Sequence, residues 1–357
     1  MTGSPETESS NSPVSDGSAS HKAQPHRVVI IGAGLSGLIA ATTLQAAATD
    51  EQPIEVVIVD KGRSVGGRLA TRRIGNATLD HGAQFFTVRT EEFRAAVDGW
   101  LSDGLAQEWC QGFSEVDGYP RYRIEGGMNR LAKELATWLT KRGAEIVTRR
   151  RANAIIPGPD RWAVAYEAAS REPDEADSII ATAPVPQTIE LLRSGATVLA
   201  PDTAALVEAM TYHKVIAALV VLDRSPELPT PGALQRPDHP TFTFVADNQA
   251  KGISDEPAMT FHVGHDLSAK LWDLDDEAVL AEIGSEIDNT IGEAQIVESH
   301  IKRWRYAGPV NPHQERSLLI AERPGQLILA GDGFGTSKVE GAFLSGLHAA
   351  QRILGRL

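Results

Sequence analysis

The chain has 357 residues, 42% of them hydrophobic, with 34 Lys and Arg against 47 Asp and Glu for a formal net charge of -13; at about 100–200 residues per domain it is long enough for two. The acidic balance argues against a nucleic-acid or anionic-membrane surface as the main partner. A single cysteine, Cys110, excludes an internal disulfide framework, a CxxC redox pair and a cysteine-based zinc site, so any redox chemistry has to come from a bound cofactor. No metal site is predicted.

Residues 1–26 are rich in Ser, Pro, Thr and Gly and hold no apolar stretch, so they read as a disordered tail and not as a secretory signal. No apolar run reaches the roughly 20 residues that span a bilayer, and a soluble, cytoplasmic protein is expected. The folded part opens on "RVVIIGAGLSGLIAATTLQ", with a strand over Val28–Ile31. Gly32, Gly34 and Gly37 follow at the dinucleotide-binding spacing. Gly32 makes a tight turn, Gly34 lets backbone N–H groups approach a pyrophosphate, and Gly37 lets helix and strand pack closely, with the helix N-terminus favouring the negative charge. The next strand, in "IEVVIVDKG", ends at Asp60, 23 residues past Gly37. A carboxylate there can accept hydrogen bonds from the adenosine ribose hydroxyls, and Lys61 stands next to it.

Beyond Lys61 comes "GRSVGGRLATRR", with a second glycine pair at Gly66-Gly67 followed by Arg68 and, after two residues, Thr71. Paired glycines expose backbone N–H groups, and Arg68 adds a fixed charge suited to phosphate. This segment resembles the doublet-glycine motif of the flavoprotein superfamily that contains amine oxidases, phytoene desaturases and protoporphyrinogen oxidase, which favours FAD over NAD. Further on, "LDHGAQFF" spans Leu79 to Phe86. A helix is predicted from about Gly127 to Arg142 and a strand from Ala144. The basic "TRRRAN" over Thr148–Asn153 reads as a solvated strand edge, with an anion contact as the other reading. "ADSIIATAPVPQTIELL" reads as a strand that stops at Pro184 and Pro186. The β-rich runs "KVIAALVVL", "TFTFVAD" and "AMTFHV", a helix over Asp276–Ile291 and then "SHIKRWRYAGP" complete the middle.

Late in the chain, "LILAGDGFGTSKVEGAFLSG" offers a strand, a glycine turn and a helix from Val339 to about Leu354. It is not a second complete nucleotide turn, because Thr336 occupies the place of the third glycine and no further strand follows. A separate NAD(P)H domain is therefore not expected. In the superfamily, a Gly-Asp pair after a late strand supplies a carboxylate to the ribityl chain and the next helix points its N-terminus at the flavin pyrimidine. Asp332 fits the first role, and the backbone of Glu340, Gly341 and Ala342 the second; the helix dipole would stabilise negative charge on the reduced ring.

The motifs "IGAGLSG", "SVGGRLATRR", "DHGAQFF", "EGGMNRLAKEL", "APVPQ", "RWRYAGP" and "GDGFGTSKVEGAFLSG" together resemble those of the renalase family over nearly the whole chain beyond the tail. The resemblance implies a Rossmann-type α/β FAD-binding domain from residues 27–84, 127–210 and 300–357, with an interleaved, mainly antiparallel α+β substrate domain from residues 85–126 and 211–299. It implies non-covalent FAD and oxidation of 2- or 6-dihydro-NAD(P) isomers to NAD(P)+, with electrons passed to O2 to give H2O2. Carried over by motif, Ser36, Gly67, Arg68, Gln84 and Phe85 would contact FAD, and Ala152 would lie on a strand whose backbone meets the adenine.

Hydride transfer from a dihydropyridine to flavin N5 leaves an aromatic pyridinium, so orientation matters more than a general base. Gln84, His262, Trp304 and Tyr306 are the candidates for substrate positioning and Arg305 for an anion partner. "DHGAQFF" places Phe85-Phe86 where no phenol is then available, and Cys110 lies far from the C-terminal helix where some amine oxidases attach the flavin, which supports a dissociable cofactor. Two other readings stand beside this one: an amine oxidase or desaturase, and a non-catalytic flavin-binding sensor.

Overall fold

Val28–Ile31 are all buried, as suits a central strand covered on both faces. They lie in β1 (His26–Ile31), which is followed by α1 (Leu35–Ala47) and β2 (Ile54–Val59). β1 and β2 pair in parallel from His26↔Ile54 to Ile31↔Val59, completing the βαβ unit that the glycine spacing predicts. The computed structural model describes residues 1–2, 24–113, 117–167 and 172–357. The expected disordered tail therefore lies mostly outside the described residues, and its last residue, His26, opens β1.

A hairpin of β3 (Thr71–Ile74) and β4 (Ala77–Asp80), helix α2 (Glu91–Ser102), and a hairpin of β5 (Ala106–Cys110) and β6 (Arg121–Ile124) leave the sheet. The chain returns through α3 (Asn129–Thr140), inside the expected helix, to β7 (Glu145–Val147), parallel to β2. Strands β8 (Ala152–Pro157), β9 (Trp162–Tyr166) and β10 (Asp174–Ala176) form an antiparallel sheet. At its edge the "TRRRAN" cluster departs from the solvated reading. Arg150 is buried, 3.8 Å from the centre of the Tyr166 ring, with Nη2 2.7 Å from Asp174 Oδ2; Arg151 is exposed beside Glu167.

β11 (Ser178–Ala181) then pairs in parallel with β1. It ends before Pro184, because Pro184 and Pro186 open α4 (Val185–Ser194), where a residue without an N–H costs nothing in the first turn. Helix α5 (Pro201–Glu208) leads into a five-stranded antiparallel sheet. Its strands are β12 (Tyr212–Leu222), β13 (Ala233–Gln235), β14 (Phe242–Asp247), β15 (Ala258–Val263) and β16 (Ile296–Pro309), in the order β13-β14-β15-β12-β16. Between β15 and β16 run α6 (His265–Lys270) and α7 (Asp276–Ile291). Val279, Ile283, Ile287 and Ile291 recur at helical spacing and pack α7 on Ile216, Ala218 and Val220 of β12. A division at residue 300 falls inside β16, the whole of which belongs to this sheet.

β17 (Leu318–Ala321), β18 (Leu327–Leu329) and α8 (Val339–Leu354) close the first sheet, whose order is β17-β18-β11-β1-β2-β7. α8 crosses the start of α1 so closely that a Cβ on Gly346 would be 2.1 Å from the Ser36 carbonyl oxygen. The late segment is thus packed against the first glycine turn. The result is a Rossmann-type α/β domain with an interleaved, mainly antiparallel α+β unit.

Candidate functional site

Three chain turns meet at the end of β1. Gly32 has φ +114°, and a Cβ on Gly37 would be 2.0 Å from the Gly32 carbonyl oxygen, so neither position admits a side chain without rearrangement. Gly34 differs: nothing lies within 4 Å of the place of its Cβ. Gly66 bridges to Gly34, and its N–H donates to Ala33 O at 2.8 Å, which lays the doublet-glycine turn alongside the first. The Asp60 carboxylate accepts from Ala33 N at 2.7 Å and Gly62 N at 2.6 Å, bracing both turns while keeping lone pairs for ribose hydroxyls. Ser36 Oγ is buried at the start of α1 without a hydrogen-bond partner. An open Gly34, an orphaned hydroxyl and a helix N-terminus together fit a pyrophosphate. Lys61 Nζ donates to Gln187 Oε1 at 3.0 Å, and burial followed by the Arg151 charge lowers its pKa. Ala152 opens β8 opposite Tyr166.

Arg68 and Asp332 form a bidentate pair, Nη1 to Oδ2 at 2.5 Å and Nη2 to Oδ1 at 2.7 Å, and Nη1 also donates to Tyr306 O at 3.0 Å. The doublet-glycine turn is thereby tied to the late Gly-Asp turn. Beside them Tyr212, which the sequence reading did not single out, lies edge-on to Tyr306 with ring centres 5.7 Å apart at 87°. Its hydroxyl accepts from Val185 N at 3.3 Å, and burial together with the Asp332 charge pushes its pKa up to about 12. A Tyr at the start of an ordinary strand carries no local mark of this position.

At the N-terminus of α8 the Glu340 side chain turns away from the glycine turns. Its carboxylate accepts from Arg89 N, Thr90 N at 2.7 Å and Thr90 Oγ1 at 2.7 Å, capping α2. Ala342 N donates to Lys338 O, so the N–H groups of Val339, Glu340 and Gly341 are the first-turn donors left for a ligand. A Cβ on Gly341 would be 1.5 Å from Thr336 O, which fixes the entry of the chain into the helix.

The loop after β4 carries the other face. Gln84 is buried; its Nε2 donates to Asp80 O at 2.6 Å and its Oε1 accepts from Lys251 Nζ at 3.4 Å. Lys251 is bound 2.7 Å from Asp80 Oδ2, both side chains fully buried, and Asp80 Oδ1 accepts from Thr71 Oγ1 and Met128 N. Burial lowers the Lys251 pKa, opposed by Asp80. Nothing near Lys251 in the sequence announces a partner 171 residues away. Phe85 joins Trp109, Phe113 and Phe244 in an aromatic cluster.

Trp304 Nε1 donates to His81 O at 2.8 Å and the two rings stack at 5.4 Å. His262, on β15, meets the His81 backbone. His81 Nδ1 and His262 Nε2 are buried without hydrogen-bond partners. Burial drives both pKa values down to about 4, and for His81 the charges of Lys302 and Arg72 add to it. Trp304, His262, Tyr306 and the Gln84 loop are therefore brought together. Arg305 is not: with Arg303 it reaches Trp272, on the other side of β16. Among the described residues no cluster of three or more His, Cys, Asp or Glu is placed to hold a metal.

The family model for flavin containing amine oxidoreductase matches residues 93–354, and that for an NAD(P)-binding Rossmann-like domain matches residues 30–99. The chain belongs to the flavin-containing amine oxidoreductase family. Its relatives include mouse (Mus musculus) renalase, 23% identical over 90% of this chain and 96% of that protein. A shorter match, 34% identical, joins 28% of this chain to 19% of polyamine oxidase 1 from Oryza sativa subsp. japonica. The fold is shared with a putrescine oxidase solved with putrescine, at a TM-score of 0.66 and 15% identity over 93% of this chain and all of that one. The protein is accordingly an FAD-dependent oxidoreductase acting on a small molecule. Among the described residues no helix is long and apolar enough to cross a membrane.

Proposed function

We propose that the protein oxidises 2- or 6-dihydro isomers of NAD(P), releasing NAD(P)+, with O2 reduced to H2O2. FAD, held without a covalent bond, would supply the two-electron hydride acceptor at N5 and pass the pair to O2. Gly32, Gly34, Ser36, Gly37, Asp60, Gly67, Arg68 and Asp332 would hold it with the Glu340 and Gly341 N–H groups. Removing hydride from a dihydropyridine carbon makes the ring aromatic and releases no proton, so the site needs no base. The chain's own contribution is to stack the ring near Trp304 and to orient its carboxamide on the unpartnered nitrogens of His81 and His262. Those imidazoles are neutral at pH 7, with pKa values near 4.

The observation that carries this reading is the charge of the site. Asp80 is bound to Lys251, Asp332 to Arg68 and Glu340 to the α2 N-terminus, which leaves none of these three carboxylates free for a substrate ammonium. The amine-oxidase reading draws on the family and on the Tyr212–Tyr306 pair, but rings at 87° do not frame a slot for an amine. Recording the flavin spectrum while mixing holoprotein anaerobically with 2- and 6-dihydronicotinamide dinucleotides and with primary amines separates the readings. Rapid bleaching by the dinucleotide isomers is expected. Bleaching by amines alone would overturn the proposal, and a reducible flavin that neither class bleaches would point to the sensor.

A further inference from the structure

We propose that Arg72 and Lys302 form a subsite for the pyrophosphate of the substrate, beside the His81–Trp304 stack. This rests on the dihydronicotinamide dinucleotide reading and adds to it the residues that would select a phosphate-bearing ligand over a bare riboside. The two cations come from separate elements, Arg72 from β3 and Lys302 from the edge strand β16. Lys302 Nζ lies 5.4 Å from the centre of the Trp304 ring, and Arg72 Nη2 is 3.3 Å from His300 Nδ1. Both charges are felt by His81. His300, Lys302 and Trp304 are alternate residues of β16, so both cations lie along the strand face that carries the stacked pair.

Among the described residues neither cation makes an ion pair, although the chain carries 47 acidic side chains against 34 basic ones. The acid that comes nearest through a hydrogen-bond chain is Glu298, whose Oε1 is 2.7 Å from His300 Nε2. The imidazole stands between it and Arg72. The guanidinium of Arg72 is thus left with exposed N–H donors in a fork that matches two phosphate oxygens, and Lys302 adds a point charge. β3 is held by its pairing with β4, from Thr71↔Asp80 to Ile74↔Ala77. The hairpin is anchored by Ile74, Ala77 and Leu79 packed on Leu219 and Ala258 of the five-stranded sheet. A ring lying by Trp304 would bring its 5′-phosphate toward these two charges, which are built on strands and not on a free loop.

The test uses the FAD-loaded protein. Dissociation constants for NAD+, nicotinamide mononucleotide and nicotinamide riboside are measured by calorimetry at low and high NaCl for the wild type, Arg72→Ala, Lys302→Gln and, as a control on the same strand, Arg73→Ala. KM for the matching dihydro isomers is read in parallel. Arg72→Ala and Lys302→Gln should each weaken NAD+ about fivefold to tenfold, flatten its salt dependence and spare the riboside, whereas Arg73→Ala should not. Equal losses for NAD+ and riboside, or none for either, in a protein that turns over the dihydro isomers would overturn the subsite and leave the activity standing. A wild type that neither binds NAD+ nor oxidises any isomer would overturn both.

Discussion

His81 and His262, the imidazoles proposed to orient the substrate carboxamide, are polar side chains with buried ring nitrogens. Each has a ring nitrogen without a hydrogen-bond partner, and each has its pKa lowered from 6.5 to about 4 by burial. The unfolded chain therefore binds protons more readily than the fold between pH 6.5 and 4. Stability is retained in full above pH 6.5 and falls as the pH drops through that window. Urea midpoints recorded from pH 7.5 to 4 should decline below 6.5, and His262→Phe should flatten the decline; a wild-type midpoint that stays level would refute neutral burial. His262 was among the residues singled out from the sequence for substrate positioning. His81 was not, because its motif "DHGAQFF" drew attention to Gln84, whose amide turns out to be engaged by Asp80 and Lys251.

Among the elements, those with a local periodic signal were read from the sequence: the first βαβ unit and the helix Asp276–Ile291 fall where their patterns put them. The strand in "ADSIIATAPVPQ" stops before Pro184, as its sequence reads, and the prolines open helix α4. Arg150 was expected in solvent and instead lies under Tyr166 beside Asp174, a partner supplied by a strand 24 residues on. The coupling of α8 to α2 through Glu340 is likewise invisible in either helix alone. Glu340→Ala should cost about 1–3 kcal/mol, since it strips a charged acceptor from buried donors, whereas Glu340→Gln should cost less because the amide oxygen still accepts. Thermal midpoints of the two variants, with flavin content measured alongside, check this; equal midpoints would show that the carboxylate caps nothing of consequence.

For the whole molecule, the buried Lys251–Asp80 pair joins the five-stranded sheet unit to the hairpin that follows the doublet-glycine turn. Lys251→Met leaves Asp80 as an uncompensated buried charge and should cost about 3–5 kcal/mol. Adding Asp80→Asn should recover part of that, as read by urea denaturation; a double variant no more stable than Lys251→Met would mean that Asp80 is held by Thr71 and Met128 and not by the lysine. The sequence by itself determined the dinucleotide turn, the doublet-glycine segment, the Asp60 position and the late Gly-Asp turn, and the resemblance those motifs carry implied a flavin. Each of these motifs rests on residues close together in the chain, where tight turns and close backbone approach call for glycine. Only the tertiary structure decided that Arg68 grips Asp332, that Lys251 reaches Asp80, and that Trp304 faces His81 while Arg305 turns to Trp272. Those contacts join segments more than 150 residues apart, or depend on which side of a strand a residue falls, and both are fixed by how the two sheets pack and not by any local pattern.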